Sequence, residues 1–577
     1  MGAKIIVLGG GFGGATAAQK LDKYLLNDDI DITLIEKNDS QTYLTELHEV
    51  AGNRIKPEGV KVSLKEALEF TRVKIVQDEI NKVDIENKKI YSKTAEYDYD
   101  YLVIACGSEP AYFGIPGMKE HAFTLWSLKD AEIINKHIRD MFKKAQYENN
   151  REKRAKMLTF IVGGGGFTGV EMMGELMEWV NRLCKEYKIS RDEVKLTLVE
   201  ALPKILPTVS REHLVQKVVN FFNKNGVEVK TNSMITSITP DGITLKSGEE
   251  IPTKTLIWTG GIQGNSFVAN IGLTTDKKGR IVVNKYMESS NPYIYAIGDS
   301  ASYVGEDGKP MPALVESALQ SADAAAYNIC ASIKGLPKKE LKLNLHGNMV
   351  SVGRKFAIAE LSGIGGLSGY PATFMKHIVN MHYLFGLSGL GMCAQYIRDQ
   401  FIDVPDKGKL SIIENHVAVT TNMFWLSLMR VFLGLMWIIS GIQHIQEGWL
   451  SSVKLSAGAS AAPMQNVPAW YGWFMEKFIF PHAIFFQSVI TLSEIGIGLL
   501  LVAGLFTFIA ALGTIFLHIN FYLSGMATFN NWWYVITAIA IMGGAGRAFG
   551  LDYYVMPWLS KVLKHWVRRK KLKLNVF

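Results

Sequence analysis

A chain of 577 residues, 48% hydrophobic and 11% aromatic, is long enough for several domains that each bury a core. Its 62 Lys and Arg against 54 Asp and Glu give a net charge of +8, much of it in the run Trp566 to Lys573 directly behind apolar segments. That placement suits an anionic lipid surface and excludes nucleic acid as the partner. The four cysteines (Cys106, Cys184, Cys330, Cys393) have neither C-x-x-C nor metal-ligand spacing, which excludes a disulfide scaffold and a thiolate metal centre.

The chain enters a short apolar strand by Lys4, too early for a signal peptide, so the N-terminal half is expected in the cytoplasm. The strand breaks at Gly9-Gly10-Gly11-Phe12-Gly13-Gly14 and a helix follows from Ala15. Gly9, Gly11 and Gly14 have G-x-G-x-x-G spacing: a tight turn, room for a pyrophosphate, and close packing of helix on strand. The helix start offers unpaired N–H groups to phosphate. A second strand, 30–35, ends in Glu36, whose carboxylate can accept hydrogen bonds from ribose hydroxyls. Lys37, Cys106 and Gly107 are further candidate cofactor contacts.

From Glu36 to about Val60 the sequence reads as polar and irregular, without cysteine between Gln41 and His48. Strands are expected at 73–76, 89–92 and 97–108, then a helix from Leu128 to about Lys144 and a charged connector over 148–156. A second strand–glycine–helix unit follows, with Gly164, Gly166 and Gly169 as its motif and Phe167 and Thr168 in the turn. Its helix is expected over 170–187 and its next strand, 194–199, ends in Glu200. A carboxylate there bonds a 2′-hydroxyl and repels a 2′-phosphate, and no arginine follows it, so NADH is expected over NADPH.

Two dinucleotide folds imply two dinucleotides, a flavin held permanently and a nicotinamide that exchanges. A strand over 291–297 ending in Gly298-Asp299 supports this. On these features the chain resembles the two-dinucleotide flavoprotein reductases. The resemblance implies that Asp299 binds the ribityl chain and that Thr255 to Gly261, with Gly260 and Gly261, lines the flavin–nicotinamide junction. Disulfide- and peroxide-reducing members need a reactive cysteine near the flavin, which 41–48 lacks, so electrons are expected to leave the flavin directly.

Pro312 to Gln320 resembles the quinone motif Ala-Gln-x-Ala-x-Gln of type II NADH dehydrogenases. Ala318 and Gln320 match, whereas Glu316 stands where that family has glutamine. A carboxylate there could bond a quinone oxygen and help deliver protons. Glu171 matches a glutamate that this family has near the nicotinamide, the reading preferred here over an ordinary acid favoured at a helix N-terminus, which Glu171 and Glu175 could also be. Segments 346–354 and 370–377, the latter with Lys376, resemble the region that closes the family's quinone tunnel and rests on the membrane. The resemblance covers roughly residues 1 to 405.

Apolar spans at about 423–443, 480–502, 505–523 and 532–548 each approach the roughly 20 residues that cross a bilayer. With the basic tail, they predict an even number of crossings with both ends inside, and Trp470, Trp473, Trp532 and Trp533 as interfacial anchors. The surroundings of Arg430, Glu494 and Gly546 to Asp552 resemble the DoxX-like four-helix membrane family. Burying Arg430 and Glu494 costs on the order of 3 kcal/mol each unless they are paired or hydrated. They line a quinone or proton passage, or form an ion pair or snorkel at helix ends. Nothing in the spacing of His444, His482 and His518 demands haem.

The expected fold is an α/β two-Rossmann flavoprotein followed by an all-α transmembrane four-helix bundle. The expected domains are FAD-binding, 1–121 with 262–345; NADH-binding, 122–261; a membrane-associated quinone region, 346–418; a DoxX-like bundle, 419–560; and a basic cytoplasmic tail, 561–577. The expected function is a non-pumping, metal-free enzyme at the cytoplasmic membrane, multi-pass, with catalytic half and tail inside. It passes hydride from NADH to tightly bound FAD and electrons on to a quinone, of menaquinone type, within the lipid bilayer. The alternative is a flavin reductase feeding a dedicated membrane relay, such as a demethylmenaquinone pathway for extracellular electron transfer, instead of the bulk quinone pool. A homodimer is compatible with either.

Overall fold

The computed structural model describes residues 2–69, 71–305, 308–363, 365–401, 423–456 and 467–559, so the expected basic tail and the join near 418 lie outside the described residues. The chain divides into two compact units, Met1–Ala418 and Val419–Phe577.

The first unit is built on two five-stranded parallel sheets. One runs, edge to edge, Ile294–Ala296, Tyr101–Ile104, Ala3–Leu8, Ile30–Glu36 and Lys74–Gln77. Ile5 pairs with Ile32 on one side and Tyr101 on the other. Such strands are covered on both faces and read as unbroken apolar runs, which is why Ile5, Val7, Leu102 and Val103 are fully buried. The second sheet runs Phe123–Thr124, Thr255–Trp258, Thr159–Gly163, Lys195–Val199 and Val227–Lys230. It lies in sequence between Tyr101–Ile104 and Ile294–Ala296 of the first, so one dinucleotide fold is inserted in the other. An antiparallel sheet, Gly347–Ser351, Ala357–Leu361 and Gly365–Ser368, then leads into helices Tyr370–Ser388 and Leu390–Phe401.

Two local expectations are corrected. The charged connector contains a helix, Arg151–Met157, because Asn150 caps it through Lys153 N (3.0 Å) and Arg154 forks onto Glu193 at 2.6 and 3.0 Å. The stretch after Glu36 is also ordered: Ser40–Thr42 pairs with Lys61–Ser63, and helix Leu47–Ala51 lies entirely buried between them in sequence. Its charges are paired inside the protein, so polarity is a misleading sign of a loop there.

The second unit is helical. Met423–Gln446 and the run Ala469–Ala503 are long and apolar enough to cross a membrane, and Thr507–Leu523 is a shorter apolar helix. The fourth expected span is not one helix: Trp533–Ile541 ends before Gly543-Gly544, where Gly544 takes φ +107°. Gly434 and Gly498 let the first two helices meet backbone to backbone; a Cβ on either would stand 2.8 or 2.7 Å from the other's carbonyl oxygen. The unit is apolar outside, with Phe485, Leu492, Phe516 and Ile536 each more than 60% exposed. Its polar groups Gln487, Thr491, Glu494 and Thr514 are fully buried. That inversion suits a lipid solvent.

Candidate functional site

The first glycine turn is shaped by contacts that only hydrogen side chains allow. Gly9 has φ +107° and a Cβ there would strike Ala105 O at 2.4 Å, while one on Gly14 would lie 1.8 Å from Gly9 O. Nothing stands within 4 Å of a Cβ on Gly11 or Gly107, which leaves an open cradle at the helix start. Gly13 lies against Ile297, and Phe12 is packed between Tyr43 and Tyr383 at 5.5 and 5.0 Å. Glu36 closes the turn by accepting from Gly10 N at 2.6 Å; Lys37 beside it is exposed.

Asp299 accepts from Ser108 Oγ at 2.8 Å, and burial raises its carboxyl against that bond and the pull of Arg280. Burial also pushes the Cys106 thiol up to about 12, so it supplies no thiolate. Gly298 N donates to Ser321 Oγ at 3.0 Å. An open phosphate cradle, an acid at the end of the second strand and a half-buried carboxyl at Asp299 fit FAD.

The second turn repeats the pattern. Gly164 has φ +109°, a Cβ on Gly169 would lie 1.8 Å from Gly164 O, and the space above Gly166 is open. Glu200 accepts from Gly165 N at 2.5 Å and Leu202 N at 2.7 Å. Phe167 is half-buried and Thr168 exposed. Gly261 O accepts from Ala111 N at 3.0 Å and Trp258 Nε1 donates to Ala111 O at 2.8 Å, tying the 258–261 loop to the first fold.

The helix Val315–Lys334 brings the expected quinone residues beside Gly298: a Cβ there would meet Ala318 Cβ at 3.2 Å. Gln320 clasps Asn344 twice, at 2.7 and 2.9 Å. Glu316 accepts from His346 N at 3.0 Å and pairs with the His346 ring. Both side chains therefore hold the 344–346 segment.

Most of the site's charge lies where the sequence reading gave a loop. Lys376 Nζ is 2.7 Å from Glu49, 3.3 Å from Glu46 and 3.4 Å from Ser351 Oγ. Arg54 bridges Glu49 at 3.1 Å and Glu175 at 2.7 Å. His48 links Ser351 (3.3 Å) to Glu171 (3.6 Å), so Glu171 and Lys376 share one network. Asn380 and Gln400 donate to Glu46 at 2.6 and 3.2 Å, and Tyr396 contacts Asn380 (2.9 Å) and His377 (2.8 Å).

Burial and the neighbouring Glu49 push Glu46 well above the carboxylate range. Burial works against Glu49 too, but Arg54 and Lys376 hold it well below that range. Burial lifts Glu171 and Glu175 to about 7 each, and lowers His48 with help from Lys376. Burial disfavours the Lys376 ammonium, yet Glu46 and Glu49 keep it above its usual value. His48, Glu49 and Glu175 converge closely enough for a metal, but Arg54 and Lys376 already supply the positive charge there. The spacing of Glu46, His48, Glu49 and Arg54 among Leu47, Val50, Ala51 and Ile55 is the signal that could have revealed this cluster.

The chain matches the pyridine nucleotide-disulphide oxidoreductase family over residues 3–322 and DoxX over 425–527. Type II NADH:quinone oxidoreductases of Staphylococcus saprophyticus and Staphylococcus aureus are each 33% identical, over 395 and 396 residues, spanning 67% of this chain and 97% of the relative. NDH2 from Plasmodium falciparum, solved in complex with NADH, shares the fold with a TM-score of 0.62 at 19% identity, over 70% of this chain and 99% of its own. The sulfide:quinone oxidoreductase of Aquifex aeolicus shares it with a TM-score of 0.56, also at 19% identity, over 70% and 96%. With two glycine cradles, an acid at each, and nearly the full length of its curated relatives, the chain belongs to the type II NADH:quinone oxidoreductases of the pyridine nucleotide-disulphide oxidoreductase family.

Proposed function

We propose that this enzyme oxidises NADH at the Gly164–Gly169 turn and delivers the electrons to a quinone, of menaquinone type, that arrives from lipid at the helix Tyr370–Ser388. The two faces of that helix carry the reading. Tyr370 and Phe374 are more than 65% exposed on one side, while Lys376, His377 and Asn380 are buried on the other. Tyr383 packs on Phe12 of the first glycine turn, and Leu387 O accepts from Gln19 in the helix behind that turn. An apolar outer face and a protonatable inner face thus meet beside the flavin cradle.

FAD, when bound, supplies the exchange of electrons between nicotinamide and quinone. Gly11, Gly13, Gly14, Glu36 and Asp299 would hold it, and Gly166 with Glu200 would hold NADH. Glu171 keeps a proton at its carboxyl near neutrality, and Lys376 fixes the negative charge of Glu49 beside it. Ala318 and Gln320 shape the approach, and Glu316 positions it through His346.

The second unit would fix the enzyme in the cytoplasmic membrane as a multi-pass protein, with the catalytic unit inside. A second reading makes that unit a dedicated relay, such as one serving demethylmenaquinone, instead of an anchor. One observation favours it: relatives matched over 97% of their length account for only 67% of this chain. Rapid mixing separates these readings. NADH should bleach the flavin absorbance, and menaquinone should restore it at least as fast as demethylmenaquinone. Restoration by demethylmenaquinone alone supports the relay, and restoration by neither in bilayers overturns quinone as acceptor.

A further inference from the structure

Within the second unit, and among the described residues, the Glu494 carboxylate accepts from Ser440 Oγ at 3.1 Å and pairs with His444 Nδ1 at 2.8 Å. Glu494 is fully buried, whereas the His444 side chain is 17% exposed near the end of its helix and stacks on Trp449 at 3.9 Å. Trp449 Nε1 is in turn held by Glu447. Arg430 is not the counter-charge. It lies roughly 20 Å further along the same helix, where Ala545 O and Phe549 O accept from it at 3.0 and 3.1 Å and Asp552 faces it.

A carboxyl whose opposite charge is an imidazole, not a lysine or arginine, differs from an ordinary ion pair. The pair is neutral with one shared proton, on either residue, and gains or loses charge when a second proton arrives or the first departs. Behind Glu494, Tyr534 is close enough to feel its charge and stacks on His518 at 5.4 Å. His518 is 3% exposed and its Nε2 has no hydrogen-bond partner among the described residues. A buried imidazole nitrogen without a partner is costly in an apolar bundle and marks a place for a proton or a donor.

We propose that the His444–Glu494 pair is a proton-exchange site of the membrane unit, loaded from water at His444 and leading inward past Tyr534 toward His518. In the loading step the Nδ1–H bond of the imidazolium breaks and an O–H bond forms on Glu494 Oε2, so the two charges cancel and no other reactant is needed. Only packing within this unit is used, so failure of the quinone assignment leaves the pair untouched.

The full chain in lipid nanodiscs tests this by infrared difference spectroscopy across pH, in H2O and D2O, with an unchanged helical amide I band and near-UV circular dichroism confirming that the membrane unit of each variant is folded. One carboxylic-acid C=O band should titrate, shift in D2O and vanish in Glu494→Gln. In His444→Gln the band should change its pH profile, because the imidazole that exchanges the proton is gone; this variant also serves if Glu494→Gln does not fold. A band that ignores pH, or one unchanged in both variants, reduces the pair to a fixed hydrogen bond and overturns the proposal.

Discussion

The Lys376 ammonium and the Glu49 carboxylate, 327 positions apart in sequence, meet at 2.7 Å in the interior of the catalytic unit. Glu49 also takes Arg54 and a donor from Gln400 at 2.6 Å, so one carboxylate is the hub of two cations and an amide. Attraction in such a place only offsets the desolvation of the charges, but removing one partner strands the rest. Glu49→Gln should therefore cost about 3 to 5 kcal/mol. Thermal unfolding of the full chain, with and without the substitution, checks this. A loss under about 1 kcal/mol would mean that Glu46 ionises and takes over.

Glu171 is lifted by burial from the ordinary 4.5 to about 7. Between those values the folded chain keeps a proton that the unfolded chain has released, so stability falls as pH rises through the window. The contribution is fully present below 4.5 and gone above about 7. The same proton is available to a reduced acceptor only below about 7. Re-oxidation of the flavin by quinone should slow as pH rises past that point, and Glu171→Gln should flatten both profiles. An unchanged rate profile in that variant assigns the proton to another group.

Legibility in the sequence followed how local the physics is. The two glycine turns were readable because Gly9 and Gly164 need left-handed φ and Gly14 and Gly169 need zero side-chain volume, demands that a short motif records. Glu36 and Glu200 were readable because they end strands beside those turns. The Glu46–Glu49–Arg54–Lys376 cluster was not. Its charges are matched by partners hundreds of residues away, and a polar stretch with distant partners looks like a solvated one. Arg430 and Glu494 were recognised as buried charges, but not that each has separate partners, since one helix carries Arg430 and His444 alike.

We propose that cofactor choice turns on Glu200, whose two oxygens also clamp Gly165 and Leu202. Glu200→Arg removes the charge that repels a 2′-phosphate and supplies one that attracts it. The ratio of kcat/KM for NADPH over NADH should rise by about tenfold or more. Part of the change should appear as a loss with NADH, because the clamp on the turn goes too. Steady-state rates with both nucleotides measure it, and an unchanged ratio removes Glu200 from the ribose site.

Glu316 stands where the resembling motif has glutamine, and here it grips the backbone and ring of His346. If its role is to hold the 344–346 segment against the Val315–Lys334 helix, losing either partner should have the same effect. Glu316→Ala and His346→Ala should each slow quinone reduction by several-fold while leaving flavin reduction by NADH within about twofold of the parent. Stopped-flow measurement of the two half-reactions separates them. A large defect in Glu316→Ala with none in His346→Ala would mean that the carboxyl touches the quinone itself. Equal slowing of both half-reactions would place the quinone away from this helix.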